Sequence, residues 1–176
     1  PSLYQLYDSL YGNEALQPEE NTTIEGGFEF TSENNLRVSA VYFNRNETNY
    51  VDFVVVDPAL YSYQYQNIED EFSASGVEVE VSKNFGKRVT ISANYTNTQA
   101  DERFALRIPK HKLNASLGYQ LGKKAYAGIS YQYNGEREDS FFNPLTYESE
   151  SIILNSYGLL DLAISHTLSK NLKLFA

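Results

Sequence analysis

The sequence contains no cysteine, tryptophan or methionine among its 176 residues. Without cysteine it can form neither a disulfide scaffold nor a Cys-based zinc site, and thiol catalysis is excluded. Glycine and proline number only 10 and 5, too few for a collagen-like or low-complexity chain. Basic residues are also scarce, 14 against 23 acidic ones. The resulting net charge of −9 argues against a nucleic-acid partner, which needs a basic face to neutralise phosphates.

What the sequence has in abundance is the alternation of apolar and polar residues, which predicts β-strands. No apolar run reaches the length of about 18 residues that a transmembrane helix needs. The clearest alternation covers residues 76–82, where valine is followed by a polar residue three times in succession. Further strands are predicted over residues 89–96, 113–121, 125–134 and 160–168, with weaker ones over 23–31, 36–44 and 172–176. We therefore predict an all-β chain of about eight strands, the last of them cut short.

The predicted strands are joined by short and long connections in turn. Short turns with the Gly and Asn chemistry of tight hairpins are predicted around Asn34, Gly86, Lys123 and Lys170. Long connections rich in polar and aromatic residues cover about 45–75, 97–110 and 135–156. This order predicts an antiparallel, up-and-down transmembrane β-barrel portion with short periplasmic turns and long extracellular loops.

The two faces of the predicted strands favour a membrane barrel over a soluble β-sandwich binding module. The polar faces are mostly Asn, Ser, Gly, Gln and Thr, which suits a water-filled lumen better than an open protein surface. Tyr95 and Tyr133 lie near the long connections and Tyr119 near a short turn, as in the two aromatic girdles of a membrane barrel. The residues predicted to face lipid are Val77, Val79, Ile91, Leu117, Ile129 and Leu162.

The start of the sequence carries motifs that resemble a known family. Its pattern resembles the "LY…YGN…L.PE…E.G" signature of TonB-dependent outer-membrane transporters at Leu6-Tyr7, Tyr11-Gly12-Asn13, Leu16, Pro18-Glu19 and Glu25-Gly26. Residues 75–78 and 107–111 resemble two further segments of that family. The positions most similar to the cobalamin-transporter branch are Tyr131-Gln132-Tyr133, Gly135, Arg137 and Asp161-Leu162-Ala163.

The resemblance implies that residues 1–176 are the C-terminal part of a barrel of about 22 strands. The plug, the earlier strands and one or more closing strands would then be absent, as the stop in mid-strand also suggests. It further implies a multi-pass protein of the cell outer membrane, surrounded by lipid, that contacts the TonB complex through the missing N-terminal region. A surface lipoprotein is a further possible partner.

Active uptake of a bulky, scarce nutrient is the function that the resemblance implies. Cobalamin is the expected ligand, and a ferric siderophore is the alternative. An alternative of another class is a structural or adhesive barrel without a transport role. A transporter differs from it by having a plug domain before the barrel.

The long connections supply the candidate ligand surface, because aromatic rings with polar tips offer stacking area at low entropic cost. Packing of these rings on one another or in the upper girdle is the alternative for each residue. The candidate ligand-binding residues are Tyr50, Phe53, Tyr61, Tyr63, Tyr65, Arg103, Phe104, Arg107, Phe141, Phe142 and Tyr147.

Catalysis is not expected. His166 shares the apolar parity of Ile164, whereas Ser165 has the opposite parity, so they cannot form a triad within the strand. We interpret His111 as a hydrogen-bonding residue at the top of a strand. No metal or other cofactor is predicted. The acidic runs at 69–71 and 136–139 leave calcium open as an alternative, although a solvated acidic loop is favoured.

Overall fold

The structure is a computed structural model that describes residues 1–101 and 105–176. Its regular elements, in chain order, are α1 (Leu3–Tyr7), β1 (Glu20–Thr31), β2 (Leu36–Thr48), β3 (Val51–Asp57), β4 (Ser62–Asn67), β5 (Phe72–Phe85), β6 (Val89–Ala100), β7 (His111–Leu121), β8 (Ala125–Asn134), β9 (Arg137–Asn143), β10 (Glu148–Leu154), β11 (Tyr157–Ser169) and β12 (Leu172–Phe175). In the part of the chain that is described, no helix has the length and hydropathy that crossing a membrane requires.

Eight of the strands form one sheet in the order β1-β2-β5-β6-β7-β8-β11-β12. The pairs β6–β7, β7–β8, β8–β11 and β11–β12 are antiparallel. The order of the eight strands across the sheet is also their order along the chain. The prediction of about eight strands in up-and-down order is confirmed. Strands β1 and β12 lie at the two edges of this order, so the sheet is not closed into a barrel within the described residues.

The long connections differ from the prediction, because two of them contain strands of their own. Strands β3 and β4 pair with each other, as do β9 and β10, and each pair is a separate two-stranded hairpin. We expected loops over about 45–75 and 135–156 because both regions mix polar and aromatic residues without a long apolar face. The run VDFVVV of β3 nevertheless has the β-branched and aromatic content that favours strands.

The short turns lie where the sequence predicts them. Asn35 has φ 57°, Gly86 φ 60° and Gly122 φ 66°, the left-handed conformation in which Asn and Gly are favoured. In the last turn, the Asn171 N–H donates to the Ser169 hydroxyl at 3.3 Å. The turn chemistry thus fixes the register of the strands that follow.

The register places four of the six residues predicted to face lipid in one row across four strands. Ile91 is opposite Leu117, Leu117 is opposite Ile129, and Ile129 is opposite Leu162. Their exposed fractions run from 37% for Ile129 to 71% for Leu162, so this face is not the dry core of a sandwich. Val77 and Val79 alternate with glutamates along β5 in the same way. Contact of these residues with lipid stays a prediction.

The opposite face of the same strands carries a ladder of polar side chains. The Ser92 and Ser116 hydroxyls are 2.7 Å apart. The Asn114 amide donates to Asn94 at 2.8 Å and accepts from the Gln132 amide at 3.0 Å. The polar residues of this face therefore bond to one another across the strands, as well as presenting hydrophilic groups.

The chain divides into two compact units, residues 1–24 with 44–74 and residues 25–43 with 75–176. The first unit contains α1 and the hairpin β3–β4, and the second contains the hairpin β9–β10. Among the described residues, the buried apolar side chains are Leu16, Val51 and Ala74, with exposed fractions of 7%, 6% and 9%. All three belong to the first unit, which therefore has a small apolar core of its own.

Candidate ligand-binding surface

In the first unit, the pairing of β3 with β4 gathers three of the predicted ligand residues. Phe53 is opposite Tyr65, and Val55 is opposite Tyr63. Because side chains two residues apart share one face of a strand, Phe53, Tyr63 and Tyr65 lie on the same face of the hairpin. The Phe53 ring stacks on Tyr63 at a centroid distance of 5.3 Å and lies 5.0 Å from Tyr65.

Two tyrosines from the start of the chain complete this group of rings. Tyr11 meets Phe53 edge-on at 5.2 Å, and Tyr4 meets Tyr65 edge-on at 6.1 Å. Asp8 fixes the turn between these two tyrosines, because its carboxylate accepts from the Tyr11 N–H at 2.9 Å. We call Tyr4, Tyr11, Phe53, Tyr63 and Tyr65 the ring cluster. Phe53 remains 43% exposed and Tyr63 36% exposed, so the cluster is packed but still presents ring surface.

The other two aromatic candidates of this connection are Tyr61 and Tyr50. Tyr61 is in the turn between β3 and β4, is 81% exposed and has φ 48°. Tyr50 precedes β3 and is half-buried, and burial raises the pKa of its hydroxyl. Of these two residues, Tyr61 is the more accessible to a ligand.

In the second unit, Arg107 is the candidate of the second connection that lies within the described residues, and it forms an ion pair. The Arg107 Nε donates to Asp139 Oδ1 at 2.7 Å, and the Arg107 N–H donates to the Glu138 carbonyl at 2.7 Å. Hydrogen bonding by the Arg107 guanidinium lowers the pKa of Asp139. Two further candidates of this connection, Arg103 and Phe104, lie outside the described residues.

The aromatic candidates of the third connection are at the tip of β9–β10. Phe142 and Tyr147 meet edge-on at 6.3 Å and are 60% and 79% exposed. Phe141 is 46% exposed and belongs to the same strand, on the opposite face from Phe142. Phe142 and Tyr147 thus form a second aromatic surface, which is more open than the ring cluster, and Phe141 faces the other side of the hairpin.

A pocket that the sequence did not predict lies at the base of β9–β10. Its volume is about 170 Å³, and it is lined by Thr98, Ala100, Ala105, Ile108, Lys110, Glu136, Arg137, Glu138 and Ile153. The Arg137 guanidinium lies 5.4 Å from the centre of the Tyr157 ring. Its Nη1 is buried and has no hydrogen-bond partner among the residues described. The sequence singled out Arg137 only through a family resemblance, because the pocket joins segments that are far apart along the chain.

The two histidines are not placed for catalysis. His111 is the first residue of β7, and its Nδ1 lies 2.7 Å from the Tyr95 hydroxyl, in agreement with a hydrogen-bonding role. His166 is opposite Ala125 on the apolar face, and Ser165 is on the other face. Within the described ranges, no three His, Cys, Asp or Glu side chains come together in a group that could hold a metal ion.

Comparison with known proteins assigns the chain to a family. The family model described as "TonB dependent receptor-like, beta-barrel" matches residues 1–176. The vitamin B12 transporter BtuB of Vibrio cholerae serotype O1 is 27% identical over 170 residues, which cover 94% of this chain and 26% of the transporter. The chain therefore spans about a quarter of the length of the curated relatives it matches.

Solved structures with the same fold include receptors for several ligands. The pyoverdine outer membrane receptor FpvA from Pseudomonas aeruginosa PAO1 has a TM-score of 0.74 at 21% identity, over 95% of this chain and 26% of that chain. A ferric enterobactin receptor (PfeA) from Pseudomonas aeruginosa has a TM-score of 0.74 at 20% identity, over 99% and 30%. The copper transporter OprC has a TM-score of 0.72 at 15% identity, over 99% and 28%. At these identities the likeness shows the fold.

Proposed function

Since the chain belongs to the TonB-dependent receptor β-barrel family, we propose that the whole protein imports cobalamin, a bulky and scarce nutrient, across the outer membrane. Members of this family are outer-membrane proteins and are not enzymes, so this chain is part of an outer-membrane β-barrel without catalytic activity. The hairpins β3–β4 and β9–β10 then belong to the extracellular side, because barrels of this kind have short periplasmic turns.

The charge of the extracellular connections is the observation that carries the choice of ligand. Arg107 is paired with Asp139 at 2.7 Å, and Arg45, in the outer part of β2, is paired with Glu47 at 2.7 Å. These guanidinium groups are already neutralised, in a chain whose net charge is −9. A highly anionic ferric siderophore would be attracted by a basic basin, whereas a large and nearly neutral corrinoid does not need one. The sequence identity of 27% to a vitamin B12 transporter supports the same choice of ligand.

Aromatic area supplies the binding energy in this proposal. Tyr61 is 81% exposed, and the ring cluster presents parts of Phe53 and Tyr63. Flat rings of this kind can stack on a planar macrocycle, and their hydroxyls can bond to its polar substituents. Phe142 and Tyr147 offer a second surface of the same chemistry.

A ferric siderophore is the second candidate, because two of the similar solved structures are a pyoverdine receptor and a ferric enterobactin receptor. These two receptors share the fold of this chain with TM-scores of 0.74, and the B12 transporter is 27% identical to this chain over 170 residues. Specificity within one fold depends on the loops, so the fold is compatible with either ligand.

The partners in this proposal follow from the uptake mechanism. The TonB complex would supply energy through a region of the protein outside this chain, and outer-membrane lipid would surround the apolar face of the sheet. A surface lipoprotein that covers the extracellular side stays a prediction.

Equilibrium binding to the full-length protein in detergent tests the ligand. We expect cobalamin to bind and a panel of ferric siderophores not to bind. Replacing Tyr61, Tyr63 and Tyr65 together with Ala should weaken cobalamin binding by about tenfold or more, because stacking surface is lost. Tyr7→Ala is the matched control, since Tyr7 is an exposed tyrosine of helix α1 in the same unit. Binding of a siderophore but of no corrinoid would refute cobalamin as the ligand and leave the transporter in place.

A further inference from the structure

The start of the chain is joined to the hairpin β3–β4 by hydrogen bonds at two places. At the first, the Asn13 side-chain amide donates to the Tyr65 carbonyl at 2.9 Å, and the Tyr65 N–H donates to the Tyr11 carbonyl at 3.1 Å. The Gln64 amide donates to the Gly12 carbonyl at 3.1 Å. Residues 11–13 thus cover β4, whose backbone groups would otherwise form a bare strand edge.

The second place is the base of the hairpin, where Asn67 ends β4 opposite Val51. The Asn67 side chain accepts from the Gln17 N–H at 2.8 Å and donates to the Gln17 carbonyl at 3.0 Å. It also donates to the Asn49 carbonyl at 2.7 Å. The Val51 N–H in turn donates to the Glu19 carboxylate at 2.9 Å. One asparagine therefore ties three backbone groups from two parts of the chain.

The segment that makes these bonds is itself tightly folded. A Cβ on Gly12 would lie 2.5 Å from the Asp8 carbonyl oxygen and 2.9 Å from that of Leu6, so only glycine fits there. The Asn13 side-chain oxygen accepts from the Ala15 N–H at 3.0 Å, which fixes the next turn. Leu16 follows in the buried core of this unit, 7% exposed.

We propose that residues 8–19 act as a clasp that holds the hairpin β3–β4 in one position, with Asn13 of the clasp and Asn67 of the hairpin as positioning residues for ligand binding. The part that concerns ligand rests on the proposed function. An isolated two-stranded hairpin is only marginally stable in water. The clasp supplies the missing contacts, so the rings of Phe53, Tyr63 and Tyr65 are ordered before ligand arrives, and binding does not have to supply the cost of ordering them.

The test combines hydrogen exchange and binding on the full-length protein. Asn13→Asp keeps the acceptor for the Ala15 N–H but loses the donor to Tyr65, and Asn67→Ala removes the bonds at the base. For Asn13→Asp we expect amide exchange over residues 51–67 to rise by about tenfold, as for loss of one well-made hydrogen bond. For Asn67→Ala, which removes three hydrogen bonds, the rise should be at least as large. Affinity for cobalamin should fall by a similar factor, with a higher KM of uptake and an unchanged maximal rate. Exchange in β6, β7 and β8 should stay the same.

Gln17→Ala is the matched control. Among the residues that the structure describes, its side chain bonds only to the Ala15 carbonyl of the same segment, and its backbone bonds to Asn67 do not depend on the side chain. Unchanged exchange over 51–67 in both asparagine variants would refute the clasp, and faster exchange without loss of affinity would refute its positioning role. If the unaltered protein binds no corrinoid, the proposed function fails, while the exchange data still decide whether the clasp holds the hairpin.

Discussion

The two extracellular hairpins have similar lengths but are held in place by different interactions. The hairpin β3–β4 is fixed by side-chain amides, by the ring cluster and by a small apolar core that includes Leu16. The hairpin β9–β10 is held at its base by the ion pair of Arg107 with Asp139 and carries exposed rings at its tip. The Arg107 side chain is 71% exposed, so water and salt reach this pair.

This difference implies different mechanical properties. Neutral hydrogen bonds and apolar packing depend little on ionic strength, whereas an exposed ion pair is weakened by salt. We therefore expect the hairpin β3–β4 to be rigid and the hairpin β9–β10 to be more mobile.

The largest expected effect is the loss of the core beneath β3–β4. Leu16→Ala should destabilise the first unit by about 2–5 kcal/mol, because truncating a buried leucine to alanine leaves a cavity. Hydrogen exchange over residues 51–67 measures this change. Leu60→Ala, at a position 77% exposed in the same unit, should change it by less than about 0.5 kcal/mol. Equal destabilisation by Leu16→Ala and Leu60→Ala would contradict the burial of Leu16 in an apolar core.

A smaller effect is expected from crowding the clasp. Gly12→Ala should destabilise the first unit by about 1–3 kcal/mol, because the new Cβ would meet backbone atoms that cannot move independently. Gly26→Ala is the control, since a Cβ there has no atom within 4 Å. Protease cleavage in the turn at residues 58–61 should rise for the first variant alone. Equal cleavage of the Gly12→Ala and Gly26→Ala variants would show that the backbone around Gly12 has room for a Cβ.

The ion pair of β9–β10 should have a weaker influence. In Arg107→Gln, we expect a spin label at Leu145→Cys, in the hairpin turn, to become more mobile, while β3–β4 is unaffected. This chain has no native cysteine that would take up the label. Raising the salt concentration to about 1 M should reproduce most of the effect in the unaltered protein, because salt screens exposed charges. Arg88→Gln, at an exposed residue beside a periplasmic turn, should have no effect on the label.

The smallest effect concerns acid pH. Arg107 lowers the pKa of Asp139, so the ion pair contributes fully above the pKa of an unfolded aspartate, about 3.9. The contribution is lost as the pH falls through the lower pKa of the folded state. The same spin label should therefore become more mobile only below about pH 4, and Asp139→Asn should remove the change. A transition at neutral pH would indicate a different titrating group.

How far the sequence predicts this structure depends on the range of the contacts. Alternation along single strands and the chemistry of turns such as Gly86 are local, so the eight main strands, their up-and-down order and their turns could be predicted. The hairpins were missed because residues such as Tyr63 and Gln64 form a strand only with a partner and a covering segment. Asn13 and Tyr65 are 52 residues apart, and Arg107 and Asp139 are 32 apart. Such pairings depend on the fold, so the sequence alone marks Asn13 only as part of a motif.

The most direct test of cobalamin import is uptake of labelled cobalamin by Gram-negative cells that lack their own cobalamin receptor and express the full-length protein. We expect saturable uptake that disappears when TonB is deleted, and a higher KM in the Asn13→Asp variant. Absence of cobalamin uptake, with the protein folded in the outer membrane and TonB present, would contradict cobalamin import.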